Sequence, residues 1–195
     1  MELESHEKQK LKDGYGAVYH RVYSIRISEP LEAAAKVMED LQKDPNKFSP
    51  QVLANFEKVS GRTDELKSQD EFQIHITGPW NGPVRVENVT CQEFRLITLK
   101  GHLEAGEIFF RIKKAKTGET VFEIESLARS RDAIIDFFYD KVPIAKFAQT
   151  EMWCSFCKTF AKNVIQSCGK DVSEIAEVEV LTERRDEETG QWQRI

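Results

Sequence analysis

His102 and Glu104 stand two residues apart, bracketed by Gly101 and Gly106. An imidazole that titrates near neutral pH, oriented by a carboxylate, is the simplest general acid–base pair a chain can offer. The same four residues also suit a plain turn, in which polar side chains cap backbone amides. A second group is Trp153-Cys154-Ser155-Phe156-Cys157. Thioredoxin-type redox sites use Cys-x-x-Cys, with the first thiolate stabilised at a helix N-terminus. Here the pair falls deep inside a helical pattern, and two thiols at i and i+3 supply at most half a zinc site. His20, His75 and Cys91 are distant in sequence, so the thiols read as buried and inert, and neither a metal nor a cofactor is expected. No phosphate-binding glycine loop, zinc-protease motif or nucleophile elbow is present.

Arg95, Glu107, Arg111, Glu123 and Glu125 form a third group that could be taken for an acid–base constellation. Their parity argues otherwise. They alternate with Phe94, Leu96, Ile108, Phe110, Ile112, Phe122 and Ile124, so the charges belong to a wet sheet face and the apolar set to a dry one. Cross-strand Glu–Arg pairs on a wet face contribute about 0.2–1 kcal/mol each.

The elements that must position these residues follow from periodicity. Ala17–Ile27, after the Gly14-Tyr15-Gly16 turn, is rich in β-formers and reads as a first strand. Ser28 is a candidate N-cap, with Pro30 in the first turn of a helix whose stripe is Leu31, Ala34, Ala35, Met38 and Leu41. That helix ends before Asp44-Pro45. Residues 48–60 are ambiguous, with a strand from Ala54 as one reading. Phe72, Ile74 and Ile76 alternate with polar neighbours, Gly78–Pro83 reads as a turn, and Val84 and Val86 follow in a further strand. Lys116–Glu119 reads as a hairpin turn. Ser130 is the expected N-cap of a long helix reaching Cys168, with Pro143 kinking or splitting it and Gly169 as its stop. Several antiparallel strands and one long helix make an α+β wrapper and plug, an arrangement that encloses an apolar pocket.

The 195 residues, 40% hydrophobic with 12 Phe, suffice for one domain with a real core. A net charge of −5 gives no broad surface for nucleic acid. No apolar run approaches the ~20 residues of a membrane span, and the charged start lacks a signal-peptide pattern. With 4 Cys read as reduced thiols, a cytoplasmic protein is expected. Residues 1–13 read as a charged extension, with Met1–Lys12 a solvated or frayed helical lead, 14–169 as the main domain, and 170–195 as an extension. That last piece is open to three readings: a hairpin, an edge strand, or a tail ordered by a partner or a second copy in a homodimer.

Gly101-His102-Leu103-Glu104-Ala105-Gly106-Glu107 with Phe110, then Phe122-Glu123-Ile124-Glu125-Ser126 and Ala128-Arg129, carry a resemblance. The chain resembles the START-like helix-grip superfamily (SRPBCC), and within it a group known only as a domain of unknown function, found in bacteria and plants. The resemblance implies a curved antiparallel sheet gripping a long C-terminal helix, with a cavity between them. Superfamily relatives bind lipids, sterols, polyketides or hormones, and some are cyclases or hydroxylase components; fold likeness does not choose among these. The expected function is binding of a small hydrophobic or amphipathic molecule. The candidate lining is Trp80, Phe94, Leu96, Phe110, Phe122, Phe138, Ile144, Ala148 and Met152, with Arg129 for an anionic head group. The alternatives are a cyclase- or hydrolase-type enzyme using His102 and Glu104, and an interaction module built on the C-terminal extension.

Overall fold

The computed structural model describes residues 7–76, 82–135, 143–187 and 189–195, and of 143–148 the backbone only. The chain forms β1 (Tyr15–Ile27), α1 (Leu31–Lys43), β2 (Ala54–Ser60), β3 (Glu71–Ile76), β4 (Gly82–Val89), β5 (Glu93–Thr98), β6 (Glu104–Lys114) and β7 (Thr120–Ser130). α2 (Pro143–Ser167), β8 (Glu179–Arg185) and β9 (Trp192–Arg194) follow. The strands make one curved antiparallel sheet in the order β2-β3-β4-β5-β6-β7-β1-β8-β9. Register shifts in β1, β2 and β4 mark bulges, which bend strands and increase local twist. α2 lies across the inner face, and α1 packs on α2 and β6. This is the α+β helix-grip architecture.

The parity reading holds across the sheet. Phe72, Val84, Phe94, Phe110, Ile112, Phe122 and Ile124 are buried on the inner face. Arg95, Glu107, Arg111, Glu123 and Glu125 lie on the outer face in a network of pairs, including Arg111 with Glu123 at 2.7 Å and Arg95 with Glu107 at 3.1 Å. Burial pushes the Glu123 carboxyl up, but Lys113 and Arg111 together outweigh it and hold it below the usual carboxylate range. Phe109 shares this face with the charges, under the guanidinium groups of Arg95 and Arg111 at 5.7 and 5.6 Å.

Several local expectations are corrected. β1 starts at Tyr15 rather than Ala17, and Ser28 caps nothing: α1 begins directly after Pro30 without a side-chain cap. Gly82 and Pro83 open β4 instead of closing a turn, while residues 77–81 lie outside the described part. Ser130 is the buried last residue of β7. The capping role falls to Asp132, whose Oδ1 accepts from the amides of Ile134 at 3.1 Å and Ile135 at 3.0 Å. The Ile135 amide first, and then the Arg131 guanidinium, hold its carboxyl below the usual range. Whether Pro143 kinks or splits a longer helix falls partly on residues 136–142, outside the described part.

The two terminal segments join the sheet. Lys8 bridges Leu99, and Gln9 donates its amide to Thr98 O at 2.8 Å, so residues 8–13 are anchored instead of frayed. At the other end β8 pairs with β1 from Val18 to Ser24, and β9 folds back on β8. The C-terminal segment is therefore a hairpin that covers the β1 edge, and orders on its own sheet.

One half of the space between sheet and α2 is filled with rings. Phe122 stacks on Phe160 with centroids 3.9 Å apart, and Phe94 stacks on Phe110 at 4.5 Å. Phe110 in turn meets Phe156 at 5.7 Å and Trp153 at 5.8 Å. Phe122, Phe156 and Phe160 are fully buried. Truncating Phe160 to Ala should cost about 3–5 kcal/mol, because the stacked partner keeps the cavity from collapsing. Urea titration of the variant checks this; a loss below about 1 kcal/mol would show that the stack does not anchor α2.

Candidate functional site

The strand registers arrange the inner face in rows that cross the sheet. One row runs Phe94, Phe110, Ile124, Tyr23; the next runs Leu96, Ile108, Ser126, Arg21. The row beyond holds Ala128 beside Tyr19 and Gly106, with Thr98 hydrogen-bonded to Gly106. Side chains therefore shrink and become polar along the strands, from the Phe94 row to the Thr98 row. α2 is held off the sheet by the rings at the first end, so small residues at the other leave a gap.

That gap is a cavity of about 70 Å³. Its apolar body is lined by Phe56, Ile74, Ile76, Val84, Leu96, Ile108, Phe110, Ala128, Met152 and Trp153. Its polar end is lined by Thr98, His102, Glu104, Ser126 and Gln149, and by Glu107, whose carboxylate pairs with Arg95. A second void of about 10 Å³ sits behind Phe110, Leu96 and Phe56, against Phe94, Phe72 and Phe156. A void of that size holds no more than one water, whereas ~70 Å³ accepts a handful.

The polar end is built by long-range contacts. His102 lies in the connection before β6, and its Nδ1 accepts from the Glu104 amide at 2.9 Å. In the neutral ring the proton then belongs on Nε2. The connection is fastened by Gln9, whose side-chain amide donates to His102 O at 2.9 Å and Glu104 O at 2.8 Å. The imidazole also occupies the space over Gly82: a Cβ at that position would clash with the ring. Gly106 is equally constrained, since a Cβ there would run into Leu127 O and Ala128.

Glu104 departs from its expected place and role. It is the first residue of β6, not part of the connection, and its carboxylate faces Arg21 Nη1 at 3.5 Å instead of the imidazole. Arg21 is buried on the inner face, with its guanidinium carbon 4.8 Å from the Tyr19 ring centre. Tyr23, on the same strand face, is buried and hydrogen-bonds the Thr150 side chain of α2; burial pushes its phenol above the usual value. His102 and Glu104 thus line one end of one cavity, with Arg21 at the Glu104 carboxylate and a backbone amide at the His102 Nδ1.

The remaining expected residues separate clearly. Leu96, Phe110 and Met152 line the main cavity, Phe94 only the smaller void, and Phe122 is spent on Phe160. Arg129 turns to the outer side and pairs with Glu187 of the C-terminal hairpin, so it offers nothing to a guest in the cavity. Trp80 and Phe138 lie outside the described residues, as do the side chains of Ile144 and Ala148. Trp153, Ser126, Gln149, Arg21 and Gln9 were not anticipated. For Arg21 a signal existed: Tyr19, Arg21, Tyr23, Ile25 and Ile27 alternate perfectly, which puts Arg21 on the dry face.

The thiols do not enter the site. Burial pushes both Cys154 and Cys157 above the ordinary thiol value, and Cys157 Sγ lies 3.9 Å from Tyr23 O. Among the described residues, no group of three His, Cys, Asp or Glu side chains could hold a metal ion. Among them also, no helix is long and apolar enough to cross a membrane.

A family model described as a domain of unknown function, DUF1990, matches residues 8–158. The chain belongs to this family. The match spans the N-terminal anchor, the strands up to β7 and most of α2, and leaves the β8–β9 hairpin outside this DUF1990 region. No curated protein matches the sequence. Among solved structures, norcoclaurine synthase from Thalictrum flavum superposes with a TM-score of 0.52 at 10% identity, over 85% of this chain and 98% of its own. The di-domain ARO/CYC StfQ of the steffimycin biosynthetic pathway gives 0.56 at 10% identity, over 82% of this chain and 53% of its own. A conserved protein from Geobacillus kaustophilus gives 0.51 at 11%, over 76% and 96%. At such identities the likeness concerns the fold, and it makes this DUF1990 protein a helix-grip fold.

Burial holds His102 below the ordinary imidazole value, against the opposing pull of the Glu104 carboxylate. Between that lowered value and ~6.5 the unfolded chain binds more protons than the folded one. The stability this group contributes is therefore complete above ~6.5 and lost as pH falls through the folded value. Thermal melts should show the wild type losing more stability than His102→Gln between about pH 7.5 and 5. Equal losses would mean that the ring is not held neutral by its burial.

Proposed function

We propose that this protein binds a small, mostly apolar molecule in the cavity between the sheet and α2. The observation that carries the reading is the change in side-chain size along the inner face, which leaves a gap with an apolar body and one polar end. Mostly apolar pockets with a few convergent polar groups are the usual form of small-molecule sites. The helix-grip fold shared with norcoclaurine synthase and the ARO/CYC protein adds support at the level of architecture only.

The ring-filled half sets the size of the guest. A cavity of about 70 Å³ suits a single ring or a short chain, not a sterol or a long acyl lipid. Each buried CH₂ contributes about 0.8 kcal/mol, offset by association costs, so affinities from micromolar to millimolar are expected. The binding reading is preferred to a cyclase- or hydrolase-type enzyme because Arg21 lies at the Glu104 carboxylate and a backbone amide donates to the His102 Nδ1.

Phe110, Leu96 and Phe56 wall both voids, so Phe110→Ala should join them. In calorimetric titrations the wild type should bind toluene but not naphthalene. Phe110→Ala should bind both, at a stability cost of about 3–5 kcal/mol. Failure of the wild type to bind any one-ring compound would overturn the proposal.

A further inference from the structure

The cavity's polar end carries unspent hydrogen-bonding capacity. Ser126 lies on the inner face opposite Ile108 and Arg21, and Gln149 faces it from α2. Among the described residues neither side chain has a hydrogen-bond partner, whereas neighbouring Thr98 is fully engaged with Gln9 O, Gly106 O and the Gly106 amide. Both groups are neutral, and both donate and accept. Among the described residues His102 is engaged through Nδ1, and its Nε2 is a third neutral group of the lining.

Charge narrows the choice. Glu104 and Glu107 are the carboxylate residues of the lining, and their countercharges, Arg21 and Arg95, are not among the lining residues. A guest carboxylate would be stripped of water, set beside Glu104 and given no cation of its own. A guest ammonium would find the Glu104 carboxylate already shared with Arg21 and would lose its hydration for little return. A neutral oxygen meets neither obstacle.

Resting on the binding reading above, we infer that the cavity selects an uncharged one-ring guest bearing one hydroxyl or carbonyl oxygen, which meets Ser126 and Gln149. The ring lies in the apolar body against Ile108, Phe110 and Met152. A carbonyl oxygen accepts from Ser126 or Gln149, and a hydroxyl accepts from one and donates to the other.

The test uses the full chain at pH 7.5, carrying ¹³C-methyl methionine, titrated separately with toluene, benzyl alcohol and benzoate. These probes share one ring and differ at its substituent. In a purely apolar cavity toluene would win, because the alcohol must shed water without recompense. The expected result is the reverse: benzyl alcohol at least threefold tighter than toluene, and benzoate at least tenfold weaker than the alcohol. Ser126→Ala and Gln149→Met should each shrink or abolish the preference for the alcohol over toluene. The comparison within the wild type stands even where a variant fails to fold. Toluene equal to or tighter than benzyl alcohol, or benzoate within tenfold of it, would overturn this inference and leave the binding reading intact. No response to any of the three would overturn the binding reading itself.

Discussion

The spacing between α2 and the sheet is set at one end only. Phe122 on Phe160, and Phe94 on Phe110 with Phe156 and Trp153, form an incompressible wedge of rings. A helix is too stiff to dip toward smaller residues one turn further along. Ser126 and Ala128 therefore face a gap that the backbone does not close. The cavity is a consequence of where the large side chains stop, and its size is fixed by the same residues that stabilise the fold.

The polar end requires a different kind of support. Placing Arg21, Glu104 and His102 near an apolar interior costs desolvation, and the structure offsets it with specific partners. Arg21 faces Glu104 and the Tyr19 ring, and the His102 Nδ1 is met by a backbone amide. Gln9 ties the whole connection to the N-terminal segment. What these contacts leave over is a small set of neutral donors and acceptors in front of a charge that is already balanced.

Much of this was legible in the chain. Period-two alternation in β3, β6 and β7 gave the dry and wet faces, and it assigned the outer charges correctly. The same alternation in β1 places Arg21 inside, beside Tyr19 and Tyr23. Other features carry no local signature. The pairing of β8 with β1 joins residues some 160 positions apart, and the Gln9 contacts bridge over 90. The capping of the turn before residue 135 pitted Ser130 against Asp132. Strand pairing with β1 and β6 claimed Ser130, which no helix propensity could reveal. Gly101 and Gly106 suggest a loop around Glu104, but Gly106 makes room for Leu127 O in the adjacent strand.

An accessible gap lies where the inner-face side chains turn small. Xenon enters apolar cavities without needing a hydrogen bond, so it tests the space apart from any view of the guest. A crystal pressurised with xenon should show one ordered atom between Ile108, Ala128 and Met152, with the Phe122–Phe160 stack unmoved. Side chains closing that volume, with no xenon bound there, would contradict the account.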